Sequence, residues 1–290
     1  MLPITDNHMH IDLSFRGLDA VADFCRAGGT HIILVSKPSW TLGFNIRTGK
    51  DFAQVFDETL HVADLINKET DATAFVVLGV HPAEITKLTE TPDASSSPSS
   101  MNPMSLDEAV SAMKGGLELA QRYVTDGRAV GLKTGRPHYP VADDVWTLSN
   151  EVMEYGFSLG AEAGCAVQIH TETVGVVELA DIAQRARRSG IEPCKVVKHF
   201  CPPLVSECEK LGLFPGVVAG KDAIETAIAE GSRFMMETDY IDDRERPGAV
   251  LGPKTVPKRT KKLVGEYGEE VFYRIHKDNP EKVYGIEIDV

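Results

Sequence analysis

Short apolar runs of strand length alternate along the chain with longer stretches whose apolar residues are three to four positions apart. The runs predict eight strands, at residues 4–11, 31–36, 72–80, 129–134, 166–170, 195–199, 214–218 and 233–237. The longer stretches predict helices at residues 18–27, 51–68, 106–123, 143–163, 174–189, 207–211 and 222–229. Residues 257–277 are expected to form closing helices.

Regular alternation of strands and helices predicts an α/β fold with a parallel sheet, and eight units predict a distorted (β/α)8 TIM barrel. A doubly wound open sheet is the alternative. The 290 residues suit one barrel domain that spans 1–290. The stretch 89–105, rich in Ser, Pro, Thr and Asn, is expected to be a mobile surface loop within that domain.

Residue types that bind metal ions fall at the ends of predicted strands. His8 and His10 share one face of the first strand, because side chains alternate between the two faces. His170, His199 and Asp239 lie at or just past the ends of three later strands. In a barrel these ends converge on one mouth, which favours the barrel over the open sheet. Imidazole and carboxylate suit zinc, iron, nickel or manganese, and the ligand set does not choose among them.

Charge and composition limit the partners. A formal net charge of −13 disfavours nucleic acid, which is bound through clustered Lys and Arg, and the charged run 242–246 is expected to be a solvated loop. No long apolar run or secretory leader is recognisable, so we expect a cytoplasmic protein without a membrane partner. The five scattered cysteines are expected to be reduced, with Cys201 a buried filler rather than a site thiol. A homo-oligomer remains open.

Five motifs lie at or just past the ends of predicted strands. They are His8-Met9-His10, Gly79-Val80-His81-Pro82, Gly135-Arg136-Pro137-His138-Tyr139, Ile169-His170-Thr171-Glu172 and Glu237-Thr238-Asp239. In this order they resemble the motifs of the metal-dependent TatD-like hydrolases of the amidohydrolase superfamily, and the likeness runs from residue 4 to about residue 240. The segment after Asp239 is similar to an archaeal branch described as predicted metal-dependent hydrolases.

The resemblance implies a binuclear centre of two divalent metal ions, zinc first, with manganese, iron, nickel or magnesium as alternatives. His8 and His10 would hold the first ion, and His170 and His199 the second. Asp239 would bind the first ion and act as general base on a bridging hydroxide.

Lys133 departs from the family pattern. TatD-like enzymes carry a bridging glutamate on the fourth strand, where this chain has Leu132-Lys133-Thr134-Gly135. An ammonium ion there would repel nearby dications, whereas a neutral amine can add CO2 and become an anionic carbamate. Phosphotriesterase-like and urease-like members of the superfamily use a strand lysine in this way. The hypothesis is a carboxylated Lys133 that replaces the glutamate, and the alternative is an unmodified lysine beside a single metal ion.

Several mouth residues are candidates for substrate binding. His81 is expected to position substrate, with a solvent-facing turn histidine as the alternative. Arg136, His138 and Arg244 suit an anionic group, although ordinary loop ion pairs explain arginines here equally well. Glu172 shares the strand face of His170 and would face the substrate or the ligands.

The sequence thus leads to a metal-dependent hydrolase with a small anionic or ester substrate. Phosphoester bonds are favoured, with deoxyribonuclease activity as the form that the resemblance implies. The enzymatic alternative is an amidohydrolase or lactonase that acts on a small cyclic amide or ester, which the lysine makes plausible. A metal-binding protein without turnover is the non-enzymatic alternative.

Overall fold

The computed structural model describes residues 2–90, 102–246 and 249–289. Its strands form one parallel sheet in the order β8-β7-β6-β5-β4-β3-β2-β1-β9. They are β1 (Thr5–His10), β2 (His31–Val35), β3 (Thr73–Gly79), β4 (Gly131–Gly135), β5 (Ala166–His170), β6 (Val196–Cys201), β7 (Phe214–Val218), β8 (Met235–Glu237) and β9 (Tyr240–Ile241).

The two edge strands of this order, β8 and β9, are halves of a single strand that is interrupted at Thr238 and Asp239. The first half pairs with β7 and the second half pairs with β1, so the sheet closes on itself. The predicted TIM barrel is therefore confirmed, and the doubly wound open sheet is wrong.

Helices follow the strands on the outside of the barrel, except for the last helix, which packs against one end of the barrel. They are α1 (Leu18–Ala27), α2 (Ala53–Glu69), α3 (Glu84–Thr89), α4 (Leu106–Thr125), α5 (Asp143–Ala163), α6 (Val176–Arg188), α7 (Val205–Leu211), α8 (Ala223–Glu230), α9 (Thr255–Tyr267), α10 (Glu269–Tyr273) and α11 (Asn279–Tyr284). The sequence did not predict α3 or α11. Most of the stretch expected to be a mobile loop, residues 91–101, lies outside the described residues. No helix in the described ranges is long and apolar enough to span a membrane.

A buried carboxylate stabilises the junction where the barrel closes. Asp6 of β1 accepts hydrogen bonds from the backbone N–H of Thr238 (3.0 Å) and from its hydroxyl (2.7 Å). Burial raises the pKa of Asp6 to about 7. Asp239 follows with a left-handed φ of 49°, so the strand bends at the point where it reaches the mouth.

The opposite end of the barrel is closed by α11. Tyr284 packs beneath the strands, where its hydroxyl donates to Asn7 Oδ1 (2.9 Å) and accepts from the side-chain amide of Gln168 (2.6 Å). The apolar residues of this inner cluster come from the strands and from α11: Ile33, Val35, Val77, Ala166, Val197, Phe214, Met235, Val283 and Tyr284. The C-terminal helix is thus part of the barrel interior.

We predict that Gly79→Ala lowers the free energy of unfolding by at least about 2 kcal/mol, measured by urea denaturation. A Cβ at Gly79 would lie 1.9 Å from the carbonyl oxygen of Lys133, so β3 and β4 would have to separate. The control is Gly265→Ala on α9, where a Cβ meets nothing within 4 Å. That change should raise stability by up to about 1 kcal/mol, because alanine favours helix. Equal effects of the two changes would contradict the prediction.

Candidate metal centre

Two imidazoles and a carboxylate meet at the carboxyl end of the barrel. His8 Nε2 lies 3.1 Å from His10 Nε2 and 3.8 Å from Asp239 Oδ1. One ligand atom from each of the three residues lies within 4.8 Å of the others. Ligands about 2.0 to 2.2 Å from a tetrahedral ion lie a little over 3 Å from each other, so the three atoms suit one ion.

Neighbouring acceptors fix the protonation of three histidines. The Nδ1 of His8 donates to Gln168 Oε1 (2.7 Å), and that of His10 donates to the Val35 carbonyl (2.8 Å). His199 Nδ1 is 2.8 Å from Glu237 Oε1. Each neutral ring then carries a lone pair on Nε2. Such acceptor contacts orient histidine ligands in metal sites.

Because the tautomers of His8 and His10 are fixed, the short distance between their Nε2 atoms is evidence for a cation site. Both Nε2 atoms are acceptors, yet they lie 3.1 Å apart in the buried site. Burial lowers the pKa of each histidine well below its usual value, which disfavours a proton shared between them. A cation between the Nε2 lone pairs would remove the electrostatic repulsion between them. His8 and His10 therefore fit a metal ion.

The second predicted ligand pair is less completely assembled. The His170 and His199 rings are 5.6 Å apart, and His170 Nε2 contacts His138 Nδ1 at 2.9 Å. Among the described residues, the other group of three close ligand atoms comes from His8, His199 and Glu237. His170 and His199 therefore lie in the same mouth but need a further ligand to hold a second ion.

Lys133 enters the site from β4. Its Nζ lies 3.2 Å from His8 Nε2, and the side chain is fully buried. Burial lowers the pKa of Lys133 to about 8, although Asp239 and Glu237 oppose the shift. Burial also raises the pKa of Asp239 to about 7, although Lys133 opposes that shift. A buried lysine with a lowered pKa thus lies among the candidate ligands.

A cavity of about 880 Å³ opens above the cluster. Four of the five predicted substrate-binding residues line it: His81, His138, Glu172 and Arg244. Arg136 does not line this cavity. Its buried guanidinium donates to Glu172 and Asp181, at 2.5 and 2.6 Å for the closest contacts, and stacks on Trp146. For Arg136 the structure therefore shows the ion-pair alternative.

The expectation of a solvated charged run at 242–246 is wrong for its first residue. Asp242 is fully buried and accepts hydrogen bonds from the Asp12 and Gly17 N–H groups and from the Tyr240 hydroxyl. The Asp242 carbonyl and the Asp12 carboxylate accept from Lys37 Nζ at 3.1 and 2.5 Å. Backbone donors that appear only when the chain folds make this burial possible. Cys201 is buried, as expected for a filler.

The residues that orient the candidate ligands are not among the site residues predicted from the sequence. Gln168 and Glu237 each precede a candidate ligand by two positions, so strand alternation places them on the same face. A polar residue within a buried strand was the available signal for both. Lys37 and Tyr284 gave no comparable signal, because their contacts depend on distant segments.

A TIM barrel with imidazole and carboxylate groups at the carboxyl ends of its strands is the architecture of metal-dependent hydrolases. Residues 5–285 match the family described as TatD related DNase, and the chain belongs to that family. This confirms the resemblance seen in the motifs. The chain is also 39% identical over 295 residues to uncharacterized protein MJ1127 of Methanocaldococcus jannaschii, across 100% of this chain and 98% of the relative.

Solved structures share the fold at low identity. The TatD-like protein of Archaeoglobus fulgidus superposes with a TM-score of 0.61 at 15% identity, over 97% of this chain and 100% of that one. YJJV, a TatD homolog of Escherichia coli, gives 0.61 at 16% identity over 98% of each chain. A variant of organophosphorus hydrolase from Deinococcus radiodurans gives 0.62 at 14% identity, over 98% of this chain and 93% of that one.

We predict that Gln168→Met weakens metal binding about 10- to 100-fold, because His8 loses the acceptor that orients it. The dissociation constant for zinc, measured by competition with a chelator, tests this. Tyr284→Phe is the control: it removes a hydrogen bond to Gln168 but leaves the His8 contact intact. If both variants weaken binding equally, general loosening of the interior explains the effect.

Proposed function

We propose that the protein is a hydrolase that uses a binuclear metal centre at the barrel mouth to cleave phosphoester bonds of small anionic substrates. The observation that carries the proposal is the short distance between His8 Nε2 and His10 Nε2, which is 3.1 Å. Both atoms lie beside Asp239 and beneath an open cavity. Membership of the TatD family supports a hydrolase.

His8, His10 and Asp239 would hold the first ion, and His170 and His199 would contribute to the second. Zinc is the first choice for this ligand set, with manganese, iron, nickel or magnesium as alternatives. When bound, the metal supplies Lewis-acid stabilisation and lowers the pKa of a coordinated water.

Side chains of the protein itself have the remaining roles in the proposed reaction. Asp239 Oδ1 lies 3.8 Å from Nε2 of both His8 and His199, so this carboxylate faces the centre from above. In the proposal it accepts the proton of the attacking water. Glu237 keeps His199 in one tautomer, and His81, whose ring is 4.7 Å from that of His170, contacts the substrate.

Lys133 is proposed to supply, as a carbamate, the anionic ligand that the second ion would need. Its neutral amine would attack CO2, forming an N–C bond and releasing one proton, and the resulting carbamate is an anion. Full burial and the lowered pKa support a reactive amine, and the incomplete ligand set at His170 and His199 supports a missing anionic ligand. The number of bound ions would then depend on the state of this one residue.

Small anions suit the mouth better than a long polymer. Lys37, Arg244 and Arg246 line the cavity together with the histidines. Lys37 is paired with Asp12 and Arg246 with Asp243, whereas Arg244 donates to the Ser14 carbonyl. Arg244 is therefore the cation of the three that can receive a phosphate or a carboxylate. The net charge of −13 opposes contacts along an extended nucleic acid. A deoxyribonuclease activity would therefore act on short strands or ends.

The second candidate is hydrolysis of a cyclic ester or amide, and Lys133 is the observation that favours it. The sequence resembles TatD-like enzymes, whereas a strand lysine in place of the glutamate is the arrangement of phosphotriesterase-like and urease-like members of the same superfamily. A lactone panel, a generic phosphodiester and single-stranded DNA, assayed in parallel, separate the two candidates. A protein that binds metal without turnover would act on none of them.

We predict that Asp239→Asn lowers kcat at least about 100-fold on whichever substrate the wild type hydrolyses, because the proton acceptor is lost. Initial rates at saturating metal measure the effect. Asp19→Asn, an exposed position on α1, is the control and should keep the wild-type rate. Unchanged turnover in Asp239→Asn would contradict the assignment of Asp239 as the base.

We predict that apo-protein takes up about two zinc ions per chain with bicarbonate and about one without it, because the carbamate completes the second site. Metal analysis after gel filtration gives the ratio, and ¹³C NMR with labelled bicarbonate detects the carbamate. Lys133→Glu should bind both ions in either condition, whereas Lys133→Met should bind one. Uptake that is indifferent to bicarbonate, with fewer ions in Lys133→Glu than in wild type, would refute the carbamate.

A further inference from the structure

Phe200 is an exposed aromatic residue beside the candidate metal centre. It lines the cavity with 48% of its surface exposed, and its ring centroid is 6.0 Å from that of His199. Large apolar side chains normally leave water on folding. An exposed phenylalanine next to a candidate ligand therefore calls for an explanation.

The backbone explains how Phe200 reaches the cavity. The pairing of β6 with β7 shifts register between Lys198 and Cys201, which is the mark of a β-bulge. In a regular strand Phe200 would point away from the barrel interior that His199 faces. At the bulge it adopts a φ of +52°, a left-handed conformation that is strained for a bulky side chain.

Glu237 holds the bulge in place. Its Oε1 atom accepts a hydrogen bond from the Phe200 N–H (2.7 Å) and also contacts His199 Nδ1 (2.8 Å). One buried oxygen thus orients both the candidate ligand and the strained aromatic residue. Strain that is maintained by the supporting contacts of a site is characteristic of functional positions.

Two further aromatic residues face the same cavity. Phe15 is 37% exposed, and the Arg244 guanidinium lies 5.9 Å from its ring centroid. Trp40 meets His81 edge to face, with centroids 5.6 Å apart. In the described part of the chain the exposed large apolar residues are few, and two of them, Phe15 and Phe200, line this one cavity.

We propose that Phe200, in a cavity that Phe15 and Trp40 also line, provides an aromatic surface that binds a planar aromatic group attached to the anion held at the metal centre. This inference rests on the proposed function, since it names the class of ester that the centre would hydrolyse. Stacking on the exposed rings selects the aromatic group, and the cationic side chains of the mouth receive the anion. The aromatic group is either a simple aryl ring or a nucleobase.

Binding of matched ligand pairs to the zinc-loaded full chain tests the aromatic surface without turnover. One pair is phenylphosphonate and methylphosphonate; the other consists of the non-hydrolysable phosphonate analogues of thymidine 5′-monophosphate and deoxyribose 5-phosphate, in which a methylene group replaces the ester oxygen. We expect the aromatic member of at least one pair to bind at least about fivefold more tightly in wild type. Preference within the first pair alone identifies an aryl ester, and preference within the second alone identifies a nucleotide. Equal affinities within both pairs overturn the proposal.

Phe200→Ala and Phe15→Ala should bring the ratio of the two affinities within a pair close to one. Phe200→Tyr keeps an aromatic ring and should keep the wild-type ratio. The control is Val177→Ala, since Val177 is 77% exposed and lies outside the lining of the cavity. A damaged metal centre weakens both members of a pair, so the ratio reports the aromatic contact alone. A ratio that survives in both alanine variants overturns the proposal.

Phe200→Gly adds an independent readout. Glycine adopts a left-handed φ without strain, so this variant should raise Tm while it abolishes the aromatic preference. A lowered Tm together with a retained preference would overturn the proposal. Failure of the hydrolase proposal is distinguishable: it would appear as an intact aromatic preference in binding with no turnover of any ester.

Discussion

The candidate metal centre depends on hydrogen bonds to Nδ1 of three imidazoles, which leave each Nε2 as an acceptor with a lone pair. Gln168, the Val35 carbonyl and Glu237 hold the Nδ1 atoms of His8, His10 and His199. Burial keeps the rings neutral, so their lone pairs face each other without an intervening proton. The fold thus places two acceptor atoms 3.1 Å apart, an arrangement that a metal ion between them would stabilise.

Barrel closure and the chemistry of the site share the same residues. The eighth strand breaks at Thr238 and Asp239 so that its halves can pair with β7 and β1. Asp6 stabilises the break through Thr238, and the bend that follows carries Asp239 over His8. The interruption of the strand therefore serves the architecture and also presents the carboxylate to the cavity.

Much of this arrangement could be predicted from sequence because it is encoded locally. The spacing of apolar residues identifies strands and helices. The positions of His8, His10, His170 and His199 at the ends of strands then predict that they meet at the mouth of the barrel. What could not be predicted depends on distant partners. The acceptors around Asp242, the ion pairs of Arg136 and the bulge at Phe200 arise only when separate strands meet.

The position of Tyr284 has a consequence for biosynthesis. Its hydroxyl supports Asn7, 277 positions earlier in the chain, and through Gln168 it reaches His8. A ribosome releases the first strand long before it makes α11. During that interval Asn7 and Gln168 lack the hydrogen bonds that the Tyr284 hydroxyl makes to them. The hydrogen-bond network beneath the candidate ligands is therefore completed only when the C-terminal helix docks against the barrel.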